Sequence, residues 1–159
     1  MNSRLAVPSM LLAILMGSSV LSVAQMAPVS FARAAVYDTG GYLAESVAVG
    51  DLNGDGKPDL VVANCGTSGT QSCANGTVSV LLGNGDGTFQ PAVTYSSGGV
   101  SATSVALGDV NGDSKLDILV GNLNCSTCGI NGGVGVLLGN GNGTFQSPTV
   151  VDAGGLFTD

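Results

Sequence analysis

From residue 36 onward the chain alternates between short apolar runs and clusters of Gly, Asn and Asp. Ser46-Val-Ala-Val-Gly50 and Leu60-Val-Val-Ala63 are typical: β-branched, brief and bounded by turn-forming residues. Such runs read as strands, and they are too short for helices. The pattern predicts eight of them. The first four are Ser46–Leu52, Asp59–Asn64, Thr77–Gly83 and Phe89–Ser96. The second four are Ser104–Val110, Asp117–Asn122, Gly133–Gly139 and Phe145–Ala153. Gly83-Asn-Gly-Asp-Gly87 and Gly139-Asn-Gly-Asn-Gly143 supply the positive φ of tight hairpins, so each predicts a turn between a third and a fourth strand. An ion held by Asn84 and Asp86 is the alternative use of the first turn.

The two sets of strands are copies of one unit. Val36–Asp51 aligns without a gap on Thr94–Asp109, an offset of 109 − 51 = 58 residues. Val78–Gln90 aligns on Val134–Gln146, and there the offset is 145 − 89 = 56, taking Phe89 with Phe145. The two lost residues fall in a Cys-bearing loop between the second and third strands. Four antiparallel strands at this period are the signature of a propeller blade. Phe89 and Phe145 are expected to open the fourth strands and to pack between blades.

The loop joining the first two strands carries the candidate chemistry. Asp51-Leu-Asn-Gly-Asp-Gly-Lys-Pro-Asp59 places Asp51, Asn53, Asp55 and Asp59 at positions one, three, five and nine. Asp109, Asn111, Asp113 and Asp117 repeat that spacing. A hard cation such as calcium takes six to eight oxygen ligands, and alternate side chains of a curled loop are suited to surround one. Lys57 and Lys115, at position seven, would offer a backbone carbonyl and turn their amines to solvent. Gly56 permits the sharp turn at position six, whereas Ser114 takes up backbone strain there. The competing reading is a pair of solvated Asx turns, which need no metal. Three carboxylates within nine residues repel one another, which favours the ion. The loop is not an EF-hand, because that motif needs flanking helices and a Glu at position twelve, where this chain has Val62 and Val120. Two Ca2+ sites are therefore expected.

The residues Ser-Val-Ala-Val-Gly-Asp51, the loop Asp51–Asp59 and Val-Ser-Val-Leu-Leu-Gly-Asn-Gly-Asp-Gly-Thr-Phe89 together resemble the FG-GAP/VCBS repeat of integrin α-subunit-like propellers. The resemblance covers roughly residues 36–155. It implies an all-β fold: two four-stranded antiparallel blades of a β-propeller, part of a seven-bladed ring on a secreted or cell-surface protein, with structural calcium. A ring needs more than two blades, so the expectation is a fragment or a truncated reading frame. Val36–Thr39 is expected to be an outer strand belonging to no blade of its own. In a complete chain, open blade edges would invite self-association.

Composition narrows the function. The chain has 159 residues, a formal charge of −7 and no His. Six of its eleven acids lie in the two Asp-rich loops, so the acidity is local. Four basic residues in all argue against nucleic acid and anionic membrane surfaces. Residues 1–34 read as an export signal: Arg4, an apolar stretch from Met10 to Val23, and Ala32-Arg-Ala34 as a cleavage site, with Ser22-Val-Ala24 competing. An uncleaved N-terminal anchor is the alternative; after cleavage no membrane insertion is expected. Removing Arg4 and Arg33 takes two positive charges, so −7 becomes −9. The expected blades are then 35–98 and 99–159. Export suits disulfides Cys65–Cys73 and Cys125–Cys128. A zinc site from the two Cys pairs, or a redox pair at Cys125 and Cys128, is the rival use. With no His and no nucleophile–base pair, catalysis is not expected. The reading is a secreted calcium-binding module for adhesion or protein interaction, its protein or glycan ligand unknown. Alternatives are a calcium-dependent carbohydrate-binding module, for which the absence of Trp leaves little stacking surface, or a non-catalytic propeller segment of a larger extracellular enzyme.

Overall fold

The computed structural model describes residues 33–69, 72–124 and 132–152. The predicted export signal therefore lies outside the described residues except at its last two positions, as does the pair Cys125 and Cys128. Among the described residues all regular structure is β, as the short β-branched runs require. Strands β1 (Gly41–Gly50), β2 (Asp59–Thr67), β3 (Thr77–Leu81) and β4 (Val93–Ser96) form one antiparallel sheet in chain order. Strands β5 (Val100–Gly108), β6 (Asp117–Asn124), β7 (Gly133–Leu137) and β8 (Thr149–Asp152) form a second sheet of the same order. These are the two expected blades.

Several strand ends move from their expected places, each for a local reason. β1 and β5 begin earlier because a bulge prolongs their pairing. Glu45 is the extra residue between Ala44 and Ser46, and Thr103 between Ala102 and Ser104. A bulge adds twist to the strand that carries it. β4 and β8 begin later than Phe89 and Phe145. Each Phe makes only an isolated bridge, to Gly83 or Gly139. Pro91 and Pro148 then interrupt the ladder, since proline has no N–H to donate. Val36–Thr39 forms no strand, contrary to expectation; instead Tyr37 and Thr39 make side-chain contacts to blade 1.

Period-two alternation sorts each sheet into a front face and a back face. On the back of blade 1, Val61 stands opposite Val80 and Ala63 opposite Val78. On the front of blade 2, Ile118 stands opposite Leu137 and Val120 opposite Gly135. These faces meet and form one core with Leu52, Ala102 and Phe145, flanked by Tyr95, Val105 and Leu107. Phe145 thus packs between blades as expected, its ring edge-on to Tyr95 at 5.8 Å. The Cys65–Cys73 disulfide is formed and closes the β2–β3 loop.

Candidate metal loops and the blade junction

The loop between β1 and β2 curls because its acidic side chains accept its own N–H groups. Asp51 Oδ1 accepts from Gly54 and Asp55, and Oδ2 accepts from Gly56 at 2.9 Å. Asn53 Oδ1 accepts from Asp55 N, and Asp55 Oδ1 from Lys57 N, both at 3.0 Å. Blade 2 repeats the pattern. Asp109 accepts from Gly112, Asp113 and Ser114, Asn111 from Asp113, and Asp113 from Lys115. Position six lies in the left-handed region in both copies, with φ of 79° at Gly56 and 65° at Ser114. Serine therefore carries the strain anticipated from its side chain. These N–H groups favour the ionised acids. The Lys57 amide, ahead of the Lys57 ammonium, holds the Asp55 carboxyl below its ordinary value. The Ser114 amide does the same for Asp109.

The lysine amines lie beside the loops' own carboxylates. Lys57 Nζ folds back onto Asp55 Oδ2 at 3.2 Å, and Lys115 Nζ lies 3.5 Å from Asp113 Oδ2. A loop with three carboxylates draws the nearest ammonium to itself, although both amines keep contact with water.

Position nine stands apart from the other three. Asp59 is fully buried. Its Oδ2 accepts from Leu52 N at 2.9 Å and its Oδ1 from Gly83 N at 2.7 Å. Asp117 does the same with Val110 N at 3.0 Å and Gly139 N at 2.8 Å. Each carboxylate therefore ties the Asp-rich loop to the third-to-fourth-strand turn of the same blade. Charge-assisted bonds of this kind are among the stronger ones in proteins. A glycine is needed at the turn end of the clasp, because a Cβ on Gly83 would lie 2.1 Å from the Pro58 carbonyl oxygen. The spacing placed Asp59 and Asp117 among equal ligands; it gave no sign of Gly83 and Gly139, which come from over twenty residues away.

Among the described residues no three acidic, Cys or His side chains converge as a ready-made metal centre. The donor chemistry of each loop still fits a hard cation. The side-chain donors are oxygens, Asp51 and Asp55 are exposed, and Asp51 Oδ2 and Asp55 Oδ1, which each accept one N–H, keep a second lone pair. Asp51, Asn53 and Asp55, with Asp109, Asn111 and Asp113, are the residues that would hold an ion. Bound there, the ion would supply positive charge against each loop's surplus of carboxylates.

The third-to-fourth-strand turn closes without an ion. Thr88 N and Oγ1 both donate to Asp86 Oδ1, and Asn84 Nδ2 donates to Thr88 Oγ1. Asn142 replaces Asp86 in the second copy with the same partners at Thr144.

A second set of residues was not anticipated by motif. Where blade 1 meets blade 2, Ser97 Oγ donates to Asn122 Oδ1 at 2.6 Å and Asn122 Nδ2 donates to Ser97 O at 3.1 Å. Both residues are buried. On the front of blade 1, Thr39 Oγ1 donates to Asn64 Oδ1 at 3.0 Å, and the Tyr37 ring meets Phe89 edge-on at 5.3 Å. Tyr37, Thr39 and Asn64 lie 58 residues before Tyr95, Ser97 and Asn122. The signal was present in the gapless alignment, which brings these pairs into register.

The FG-GAP-like repeat family matches residues 66–120, and the FG-GAP repeat family matches residues 43–81. Integrin alpha-PS3 of Drosophila melanogaster is 33% identical over 116 residues, covering 69% of this chain. The chain spans only 10% of that relative's length. With two matching four-stranded sheets, the recurring loops and these similarities together, the chain is an FG-GAP repeat protein of the integrin α-like kind.

Proposed function

We propose that the chain is an exported, calcium-stabilised repeat module for adhesion or protein interaction. The observation that carries the calcium reading is the matched pair of exposed, oxygen-rich loops, in which three of the four motif side chains face water on a strand–loop–strand support. Similarity to an integrin α-subunit supports an extracellular or cell-surface setting and an interaction role. Calcium would offset the carboxylate repulsion left after Lys57 and Lys115 have paired, and would stiffen the turn that Asp59 and Asp117 already anchor. Affinity typical of extracellular modules, about 10⁻⁴–10⁻³ M, is expected.

Equilibrium dialysis of the full chain against calcium tests this. Two ions per chain are expected, falling to one in Asp55→Ala, with magnesium much weaker. Stoichiometry unchanged by Asp55→Ala would remove that loop from the assignment.

A further inference from the structure

Asparagine followed by glycine can lose ammonia without an enzyme. The glycine amide nitrogen attacks the asparagine Cγ; an N–Cγ bond forms and the Cγ–Nδ2 bond breaks. Ammonia leaves with the amide proton, and water then opens the cyclic imide to aspartate or isoaspartate. Glycine eases the attack because no Cβ crowds its nitrogen. An amide that already donates a hydrogen bond must first give it up. The chain holds seven such pairs, and six lie wholly among the described residues; the pair at Asn131 does not.

The six glycine amides fall into two groups. Gly54 N donates to Asp51 Oδ1 at 2.8 Å, and Gly112 N to Asp109 Oδ1 at 2.7 Å. Gly76 N donates to Gly99 O at 2.9 Å, and Gly143 N reaches across the blades to Leu52 O at 3.1 Å. Gly85 N and Gly141 N have no acceptor among the described residues. Exposure does not make this division, since Asn75, Asn111 and Asn142 are exposed just as Asn84 and Asn140 are.

We infer that Asn84 and Asn140 are the positions at which the folded chain modifies itself, by deamidation through a cyclic imide, and that the fold withholds the same reaction from Asn53, Asn75, Asn111 and Asn142. The inference does not depend on calcium. The protected pairs lie in the Asp-rich loops and beside the blade junction. The two open ones hold equivalent places in the third-to-fourth-strand turns. Each follows a glycine that clasps a buried carboxylate, Gly83 on Asp59 and Gly139 on Asp117. Reaction at Asn84 removes the Nδ2 that donates to Thr88 Oγ1, and reaction at Asn140 the one that donates to Thr144 Oγ1. Isoaspartate also adds its methylene to the backbone next to the clasping glycine, which shifts that N–H from its carboxylate.

Peptide mapping by mass spectrometry tests the inference. The full chain is held in mildly alkaline buffer with chelator, either folded or in concentrated urea. Aspartate and isoaspartate are counted over time at the six positions. In the folded chain Asn84 and Asn140 should convert about tenfold or more faster than the other four, which must first release a hydrogen-bonded amide. In urea all six should convert at similar rates, because glycine follows each. Asn84 and Asn140 reacting no faster than the capped four in the folded chain would overturn the inference. So would a ranking that persists in urea, since it would then belong to local sequence and not to the fold. Asp51→Ala frees Gly54 N, so Asn53 should speed up toward Asn84, with Asn111 still slow and reporting an intact fold. Asp109→Ala is the mirror test at Asn111. Unchanged rates in both variants would overturn capping as the cause. Chains carrying isoaspartate at position 84 or 140 should melt below fresh chain, and equal melting would overturn the tie to the Asp59 and Asp117 clasps.

Discussion

At the scale of single residues, the acids of each loop divide into two groups that one spacing concealed. Asp51 and Asp55 are exposed and organise the loop's own amides, while Asp59 is buried and bridges two loops. Removing Asp59 leaves two buried N–H groups without partners, at about 1–3 kcal/mol each. Asp59→Ala should therefore destabilise the chain by about 2–6 kcal/mol in chelator, where calcium plays no part. Asp55→Ala should change stability little under the same conditions. Urea unfolding of the two variants, side by side, checks the contrast; equal losses would refute the clasp. Asp86 gives a pH prediction. The Thr88 hydroxyl, then its amide, holds the Asp86 carboxyl below its ordinary 3.8. A carboxyl depressed in the folded state contributes stability above the unfolded value and loses it as pH falls through the folded one. Asp86→Asn, which copies Asn142, should melt like wild type near neutrality and lose less stability as pH drops below 3.8. Parallel melts either side of that value test it.

At the scale of elements, the strands follow the sequence pattern while their ends follow neighbours and proline. Val61, Val80, Ile118 and Val120 were readable as strand residues from their runs. Glu45 and Thr103 were not readable as bulges, because a bulge exists only relative to a partner strand. The retreat of β4 and β8 past Phe89 and Phe145 leaves both rings free to serve the junctions, where Tyr37 and Tyr95 meet them edge-on. Phe145→Ala should cost about 3–5 kcal/mol, as is usual for a buried aromatic. Gly135→Ala should separate the blades, because a Cβ there would lie 1.9 Å from Ser97 O. In a Tyr37→Phe, Tyr42→Phe background the near-ultraviolet tyrosine signal reports Tyr95 at the junction. If Gly135→Ala left that signal and the stability unchanged, the close approach would be wrong.

At the scale of the molecule, the core belongs to neither blade alone. Val61, Ala63, Val78 and Val80 come from one sheet, and Ile118, Val120, Leu137 and Phe145 from the other. The described blades should accordingly unfold in one cooperative transition, observed coincidentally by circular dichroism and tyrosine fluorescence. Two separated transitions would mean that each sheet holds itself together. The same sharing explains why Val47 and Val49 stay exposed while Val105 and Leu107 are covered. Equivalent apolar strand positions meet a blade in one case and, among the described residues, not in the other.

The sequence by itself determined the elements, their order and their repetition. β-branched runs, Asn-Gly turns and the 58- and 56-residue offsets are local or periodic, and so survive without a fold. It also determined the loop curl, since Asx bonds span only a few residues. The tertiary structure alone decided which Asp is buried, where Lys57 and Lys115 point, and how Ser97 and Asn122 join the blades. Each of these rests on groups distant in sequence or on which oxygens remain open to water. Only packing settles such questions, because burial and partner choice are set by the chain as a whole.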